Sequence, residues 1–136
     1  MSETKRSNQT LKSVGALLAG FFFIIVLSIG TDMILHFTNV YPPFGIIMSD
    51  PLFILAASYR LAYGILGSYI AARLAPSRPM FHAMILGSVG LVISIAGAIM
   101  MGDKGPAWYS ILIILIALPS AWAGGILVQG RRPKTA

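Results

Sequence analysis

The stretch VGALLAGFFFIIVLSI, residues 14–29, contains no charged side chain and decides the class of fold. The apolar character continues through Gly30 and Thr31 into residues 33–35. The run is therefore longer than the apolar segment of a signal peptide, which has about 7–15 residues. We expect an uncleaved transmembrane helix over residues 13–37.

Three further apolar segments follow, and each is bounded by proline and glycine. The interrupting segments have compositions that favour turns and loops: NVYPPFGIIMSD (39–50), APSRP (75–79) and GDKGP (102–106). At a rise of about 1.5 Å per residue, ~20 residues of helix cross the ~30 Å hydrocarbon core of a bilayer. The predicted helices are residues 13–37, 51–74, 80–101 and 107–128.

The composition excludes most soluble classes of protein. Hydrophobic residues make up 57% of the 136-residue chain and charged residues 10%, whereas a soluble domain carries roughly 25% charged residues. The absence of cysteine excludes disulfides, thiolate metal sites and cysteine nucleophiles. The predicted fold is all-α: a membrane-embedded bundle of four transmembrane helices, arranged as two in-out-in hairpins in a single domain of residues 1–136.

The basic residues predict the orientation in the membrane. Three clusters lie on one side: Lys5, Arg6 and Lys12 before the first helix, Arg73 and Arg78 around the 75–79 turn, and Arg131, Arg132 and Lys134 after the last helix. The opposite side has a single basic residue in a loop, Lys104. The positive-inside rule then places both termini in the cytoplasm. We expect a multi-pass protein of the bacterial inner (plasma) membrane, with residues 1–12 as a short disordered tail and 129–136 as a second tail. Because topology explains the net charge of +6, we expect no nucleic-acid partner.

Aromatic and acidic residues near the outer helix ends predict local features. The loop of residues 39–50, which includes Tyr41, is expected to lie along the outer interface, and Trp108 and Tyr109 are expected to join the aromatic belt there. Asp50 is expected to cap the second helix, with Pro51 at its first position.

Every predicted helix carries small residues at four-residue spacing, which allow close helix contact in lipid. One interpretation is that these rows hold the four helices of one chain together. The alternative is that one row forms the contact of a homodimer. The expected partners are therefore the lipid bilayer and either a second copy of the chain or another membrane protein. The rows are Gly15/Ala19, Ala16/Gly20, Gly64/Ser68/Ala72, Gly90/Ser94/Ala98 and Ala117/Ala121/Gly125.

Ionisable residues within the helices mark the candidate site. Asp32 and His36 are four residues apart and therefore share one face of the first helix. Arg60 lies inside the second helix, where a charge is costly unless it is paired. We expect an Asp32–Arg60 ion pair, with His36 toward the outer surface and the hydroxyls of Tyr59 and Tyr63 completing the network.

Two interpretations of this pair remain open. Asp32 and Arg60 either fix the helix register as a structural staple or form a proton- or ligand-handling site that opens to the outer face. No metal site is predicted, because His36 and His82 are expected at opposite ends, His82 as a polar helix-start residue at the inner interface. The sequence contains no phosphate-binding glycine loop, nucleophile elbow or pair of carboxylates, so we predict no catalytic residue and no cofactor.

Several short strings resemble uncharacterised small four-helix integral membrane proteins of bacteria: GTDMILH (30–36), YPPFG (41–45), MSDP (48–51), YRLAYG (59–64) and ARLAPSRPM (72–80). The resemblance covers most of the chain and implies no activity. In size, and in having an acidic residue in the first helix, the chain is also similar to small multidrug transporters. Their acid lies in the middle of that helix, whereas Asp32 lies near the outer end with an expected arginine partner, so that function is not carried over.

These observations favour a non-enzymatic integral membrane protein that acts as an accessory, assembly or scaffold component. The first alternative is an oligomeric transporter or channel protomer that uses the outward-facing cluster of Asp32, His36 and Arg60. The second is a lipid-acting membrane enzyme with His36 as the base and Asp32 as its orienting group. That enzyme would need a third group, which the sequence does not identify.

Overall fold

The computed structural model describes residues 2–43, 46–102 and 105–130. They form four α-helices: α1 (Ser2–Phe37), α2 (Asp50–Leu74), α3 (Pro79–Met101) and α4 (Ala107–Gln129). Each is long and apolar enough to cross a membrane. The prediction of an all-α bundle of four membrane-length helices is confirmed. The predictions for Lys104 and for the basic residues of segment 131–136 fall outside the described residues.

The first helix is longer than predicted, because it begins at Ser2 rather than near residue 13. The prediction of a disordered tail over residues 1–12 is therefore wrong for residues 2–12. Glu3 lies in the first turn, where a negative charge interacts favourably with the helix dipole. Once the apolar part of α1 has formed, the helix extends one residue at a time without a new nucleation step. Neither glycine nor proline interrupts this polar segment, so the helix continues through it.

The second helix starts at Asp50 without the predicted side-chain cap. Its N-cap residue is Ser49, and neither Ser49 nor Asp50 provides a side-chain capping hydrogen bond; the Ser49 carbonyl instead accepts from the backbone N–H groups of Leu52 and Phe53, at 3.1 and 3.2 Å. Pro51 occupies the first turn as predicted, where its missing N–H group has no cost. Asp50 lies in that turn and acts through its charge on the helix dipole.

The second helix lies at the centre of the bundle. It contacts α1, α3 and α4, and α3 also packs along α4. Its best 18-residue window has a mean hydropathy of 1.2, compared with 2.2 to 2.4 for the other three helices. This order is physically reasonable, because polar groups in a membrane protein are stable only where other protein groups surround them.

The first helix sits at one side of the bundle. Among the described residues α1 makes no contact with α4. It reaches α3 near the start of α3, where Ser13 contacts His82 and Gly20 lies against Leu86. Beyond that point α1 and α3 are separated by a cavity, which is described below.

Small residues allow α2 to pack closely against its neighbours. A Cβ atom on Gly20 would lie 2.5 Å from the Gly67 carbonyl oxygen, so the backbones of α1 and α2 touch at these two glycines. A Cβ atom on Gly124 would lie 2.5 Å from the Ile65 carbonyl oxygen and 2.7 Å from the Tyr69 nitrogen, so α4 approaches α2 as closely.

Not every predicted row of small residues is used in this way. Gly15 in α1 and Gly90 in α3 have no atom within 4 Å of an added Cβ among the described residues. Members of three predicted rows do make contact: Gly20 of α1 lies against α2, Gly64 of α2 lies against α4, and Gly125 of α4 lies against α3. The α3 row faces open space at Gly90.

The close approach at Gly124 gives a direct test of this packing. We expect Gly124→Ala to lower the free energy of unfolding by about 1–3 kcal/mol, because the methyl group meets backbone atoms of α2 that must move. Unfolding in detergent micelles measures the change. Gly15→Ala is the matched control: it adds the same methyl group in open space and should leave stability unchanged or slightly raised. Equal effects of the two substitutions would contradict the packing described here.

Candidate functional site

The chain turns back on itself directly after α1. Asn39 adopts a left-handed conformation with φ of 64°, which asparagine tolerates better than most residues. The backbone N–H of Tyr41 then donates to the Leu35 carbonyl at 3.0 Å, so the loop folds onto the end of α1. Tyr41 is only 3% exposed and packs against Phe53, so its side chain faces the interior of the protein.

The predicted ion pair between α1 and α2 is present. Arg60 Nη2 donates to Asp32 Oδ2 at 2.7 Å, and the Tyr59 hydroxyl donates to Asp32 Oδ1. Both carboxylate oxygens of Asp32 are therefore engaged. The two helices are antiparallel neighbours, and this pair joins them near the end at which α1 finishes and α2 begins.

Three tyrosines extend the ion pair into a network. The Tyr41 and Tyr59 hydroxyls lie 2.9 Å apart, and since Tyr59 donates to Asp32, Tyr41 donates to Tyr59. Arg60 Nη1 donates to the Tyr109 hydroxyl at 2.9 Å, which ties α4 to the same centre. Burial raises the pKa of the loop residue Tyr41, although its hydrogen bond to Tyr59 opposes this, so its hydroxyl stays neutral.

The sequence did not identify two of these tyrosines as part of the site. The sequence predicts Tyr41 only as part of an interfacial loop and Tyr109 as part of the aromatic belt, yet Tyr109 is 5% exposed and packs on Phe53 with ring centroids 4.8 Å apart. The signal that could have found Tyr109 is its position in the first turn of α4, at the same end of the bundle as the ion pair.

The other two predicted members lie at the edge of the network. The Tyr63 hydroxyl pairs with Thr31 Oγ1 at 2.7 Å, one turn of α2 away from Tyr59. The His36 ring stacks edge-on against Tyr41, and its Nδ1 lies 3.1 Å from the Pro42 carbonyl. Because a carbonyl accepts, Nδ1 carries the proton in this arrangement. His36 thus supports the loop that holds Tyr41.

A large cavity opens beside the ion pair, between α1 and α3. We call it the cleft; its volume is about 480 Å³. Of the residues that the structure describes, Asp32 and Arg60 are the only charged ones in its lining, and most of the remaining wall is aliphatic or small. Ile29 of α1 and Ile93 of α3 line the cleft and are still 57% and 50% exposed, so the cleft opens to the outside of the bundle. Its further walls include Ile25 and Ser28 of α1, Gly64 and Ser68 of α2, Gly90 and Ser94 of α3, and Ile113 and Ser120 of α4.

A second, smaller cavity lies on the other side of Arg60. We call it the small cavity; its volume is about 110 Å³. Arg60, Ser94 and Ile113 line both cavities, while Tyr109 and Ser110 line only the small one. The guanidinium group therefore stands between an open apolar cleft and a compact space near the start of α4.

The second histidine is far from this site and is buried within the protein. His82 lies in the first turn of α3, as predicted, but is only 5% exposed. Its Nδ1 lies 3.0 Å from the Arg78 carbonyl, so the N–H is on Nδ1, and Nε2 accepts from the Ser13 hydroxyl at 2.9 Å. His82 thereby fastens α1 to the start of α3. No group of three or more potential metal ligands occurs within the described part of the chain.

The chain matches no protein-family model, no curated protein and no solved structure. The interpretation of the site therefore rests on its geometry alone.

Substitution of the ion pair tests whether it acts as a staple between α1 and α2. We expect Asp32→Asn and Arg60→Gln each to lower the free energy of unfolding by about 3 kcal/mol, because each leaves one charge without its partner. The double variant should recover most of this loss. Unfolding in detergent micelles measures all three, and Lys5→Gln, at an exposed position, is the control. Wild-type stability in either single variant would show that the pair does not hold the helices together.

Proposed function

We propose that this protein is a non-enzymatic component of the membrane that holds one amphipathic, lipid-like molecule in the cleft. The observation that carries the proposal is the arrangement of the cleft: an apolar space of about 480 Å³ that opens sideways and has a charged pair at one end. An acyl or similar chain fits the apolar walls, and a polar group fits beside Asp32 and Arg60.

The sideways opening supports a ligand that comes from the bilayer. Ile29 and Ile93 stand on opposite walls and are both exposed, so a molecule in the surrounding lipid reaches the cleft without crossing water. Ligand sites of this kind combine a mostly apolar lining with a few polar groups that fix orientation.

The hydrogen bonds of Asp32 support a positioning role in binding. One carboxylate oxygen accepts from Arg60 and the other from Tyr59. The carboxylate is therefore fixed beside the guanidinium at the end of the cleft, where the pair can orient a polar group of the ligand.

A second candidate function, that of a transporter or channel protomer, is supported by the position of Arg60. The cleft and the small cavity share Arg60, Ser94 and Ile113 in their linings. Movement of the guanidinium group would join the two spaces. Flux through liposomes containing the purified protein distinguishes the candidates, since a binding component gives no flux.

The orientation that we propose is multi-pass in a bacterial plasma membrane, with the N-terminus and the 75–79 turn in the cytoplasm. Lys5, Arg6, Lys12, Arg73 and Arg78 are all exposed at the same end of the bundle. Positive charge concentrated in short segments at one side is typical of the cytoplasmic face.

Cysteine labelling tests this orientation cleanly, because the chain has no cysteine of its own. We expect Ser77→Cys, in the 75–79 turn, to resist an impermeant maleimide added to intact cells and to react after the cells are opened. Ile47→Cys, in the loop after α1, should react from outside; Ile47 is 59% exposed. The reverse pattern would overturn the orientation.

The cleft itself is tested by photo-crosslinking with a diazirine-tailed monoacylglycerol. We expect saturable labelling of the cleft walls on α1 and α3 that excess unlabelled monoacylglycerol removes. Gly90→Phe should abolish it, because its side chain enters the cleft from a position with no neighbour within 4 Å of an added Cβ. Val92→Phe is the control: it lies on the same helix, is 66% exposed and does not line the cleft.

The outcomes separate the possible occupants of the cleft. Labelling that is not saturable, or that survives Gly90→Phe, contradicts a lipid-like ligand in this space. If Gly90→Phe instead converts a dimer to a monomer, the occupant of the cleft is a second copy of the chain.

A further inference from the structure

The charges of the two cavities point to the kind of head group that the ligand carries, an inference that rests on the proposed function. Among the described residues, Asp32 and Arg60 are the only charged ones in the lining of the cleft, and Arg60 is the only one in the lining of the small cavity. The pair is joined at 2.7 Å, so its net charge is zero. A charged ligand group placed beside the pair would therefore find no unpaired opposite charge in the lining.

The polar end of the cleft supplies hydrogen-bonding groups rather than free charge. Ser94 lines the cleft together with Arg60, whose side chain is 36% exposed. Each Nη group of Arg60 carries two N–H bonds, and Tyr109 and Asp32 accept from one on each group, so donor capacity is left. Donors of this kind are best used by an oxygen acceptor.

The volume of the cleft also constrains the ligand. About 480 Å³ accommodates a compact head group beside Asp32 and Arg60 together with part of an aliphatic chain. We propose that the ligand is an amphiphile with an uncharged, oxygen-containing head group, a hydroxyl or a carbonyl, which lies against Arg60 and Ser94 while its chain lies along the apolar walls of the cleft.

Charged head groups are disfavoured on both sides of the pair. A carboxylate or phosphate placed on Arg60 would stand close to the Asp32 carboxylate, and an ammonium group placed on Asp32 would stand close to the Arg60 guanidinium. In a site of low dielectric these like-charge contacts are poorly screened. A neutral head group gains the hydrogen bonds without this cost.

The test uses competition against the diazirine-tailed monoacylglycerol in detergent micelles at pH 9. The competitors share one chain and differ in the head group: monooleoylglycerol, ionised oleate and oleyl-trimethylammonium. With the wild-type protein we expect monooleoylglycerol to compete about tenfold better than either ion, because only the neutral head group leaves the pair balanced.

Removal of one charge should change this order in a predictable direction. In Asp32→Asn the Arg60 charge is unbalanced, and oleate should gain about tenfold relative to monooleoylglycerol. In Arg60→Gln the Asp32 charge is unbalanced, and the trimethylammonium compound should gain instead. The double variant is again neutral and should restore the wild-type order, which keeps the test decisive if one single variant does not fold.

Two failures are distinguishable. If labelling of the wild type is saturable and blocked by Gly90→Phe, but oleate competes as well as or better than monooleoylglycerol, the neutral head group is wrong and the proposed function stands. If no saturable labelling of the cleft occurs, both the head group and the proposed function are wrong.

Discussion

The interior of a bilayer offers no water to a charged side chain, and this constraint determines how the helices of the protein are joined. Arg60 lies inside α2 and Asp32 inside α1, so each charge requires the other, and the two helices must align so that the distance closes to 2.7 Å. Around this contact the Tyr59 hydroxyl donates to the Asp32 carboxylate and connects the pair to the loop after α1. The Tyr109 hydroxyl accepts from Arg60 and connects the pair to α4. One polar centre therefore sets the relation of three helices.

The same centre explains why the bundle is not closed on all sides. The first helix is held to α2 by the ion pair, by the Tyr63–Thr31 contact and by the glycine contact at Gly20 and Gly67. Its attachment to α3 is confined to the region of Ser13 and Gly20. Farther along, α1 follows α2 rather than α3 or α4, and the space that remains is the cleft. The polar contacts that fix α1 on α2 thus also keep it apart from α4.

The helices and the ion pair could be predicted from the sequence for physical reasons. Apolar runs bounded by proline and glycine leave little freedom in where the helices start and end, and a charge pair in a membrane has few possible partners. The tyrosines could not be assigned in the same way, because a tyrosine near a helix end fits both an interface belt and a buried network. Tyr41 is buried only because Asn39 reverses the chain, and Tyr109 is buried only because α4 packs on α2. The start of α1 differs from the sequence prediction for another reason: a polar segment without glycine or proline continues a helix that its apolar neighbour has already formed.

An open apolar cleft has a different meaning in a membrane from its meaning in water. In water a space lined by isoleucine would favour collapse of its walls, because burial of apolar surface is stabilising. In a bilayer the acyl chains are as apolar as the walls, so little free energy is gained by closing the cleft, and lipid chains can occupy it at low cost. What the lipid chains alone do not satisfy is the polar end, where Asp32 and Arg60 line the cleft. Selection among membrane molecules must then come from the polar group, since every lipid offers a suitable chain.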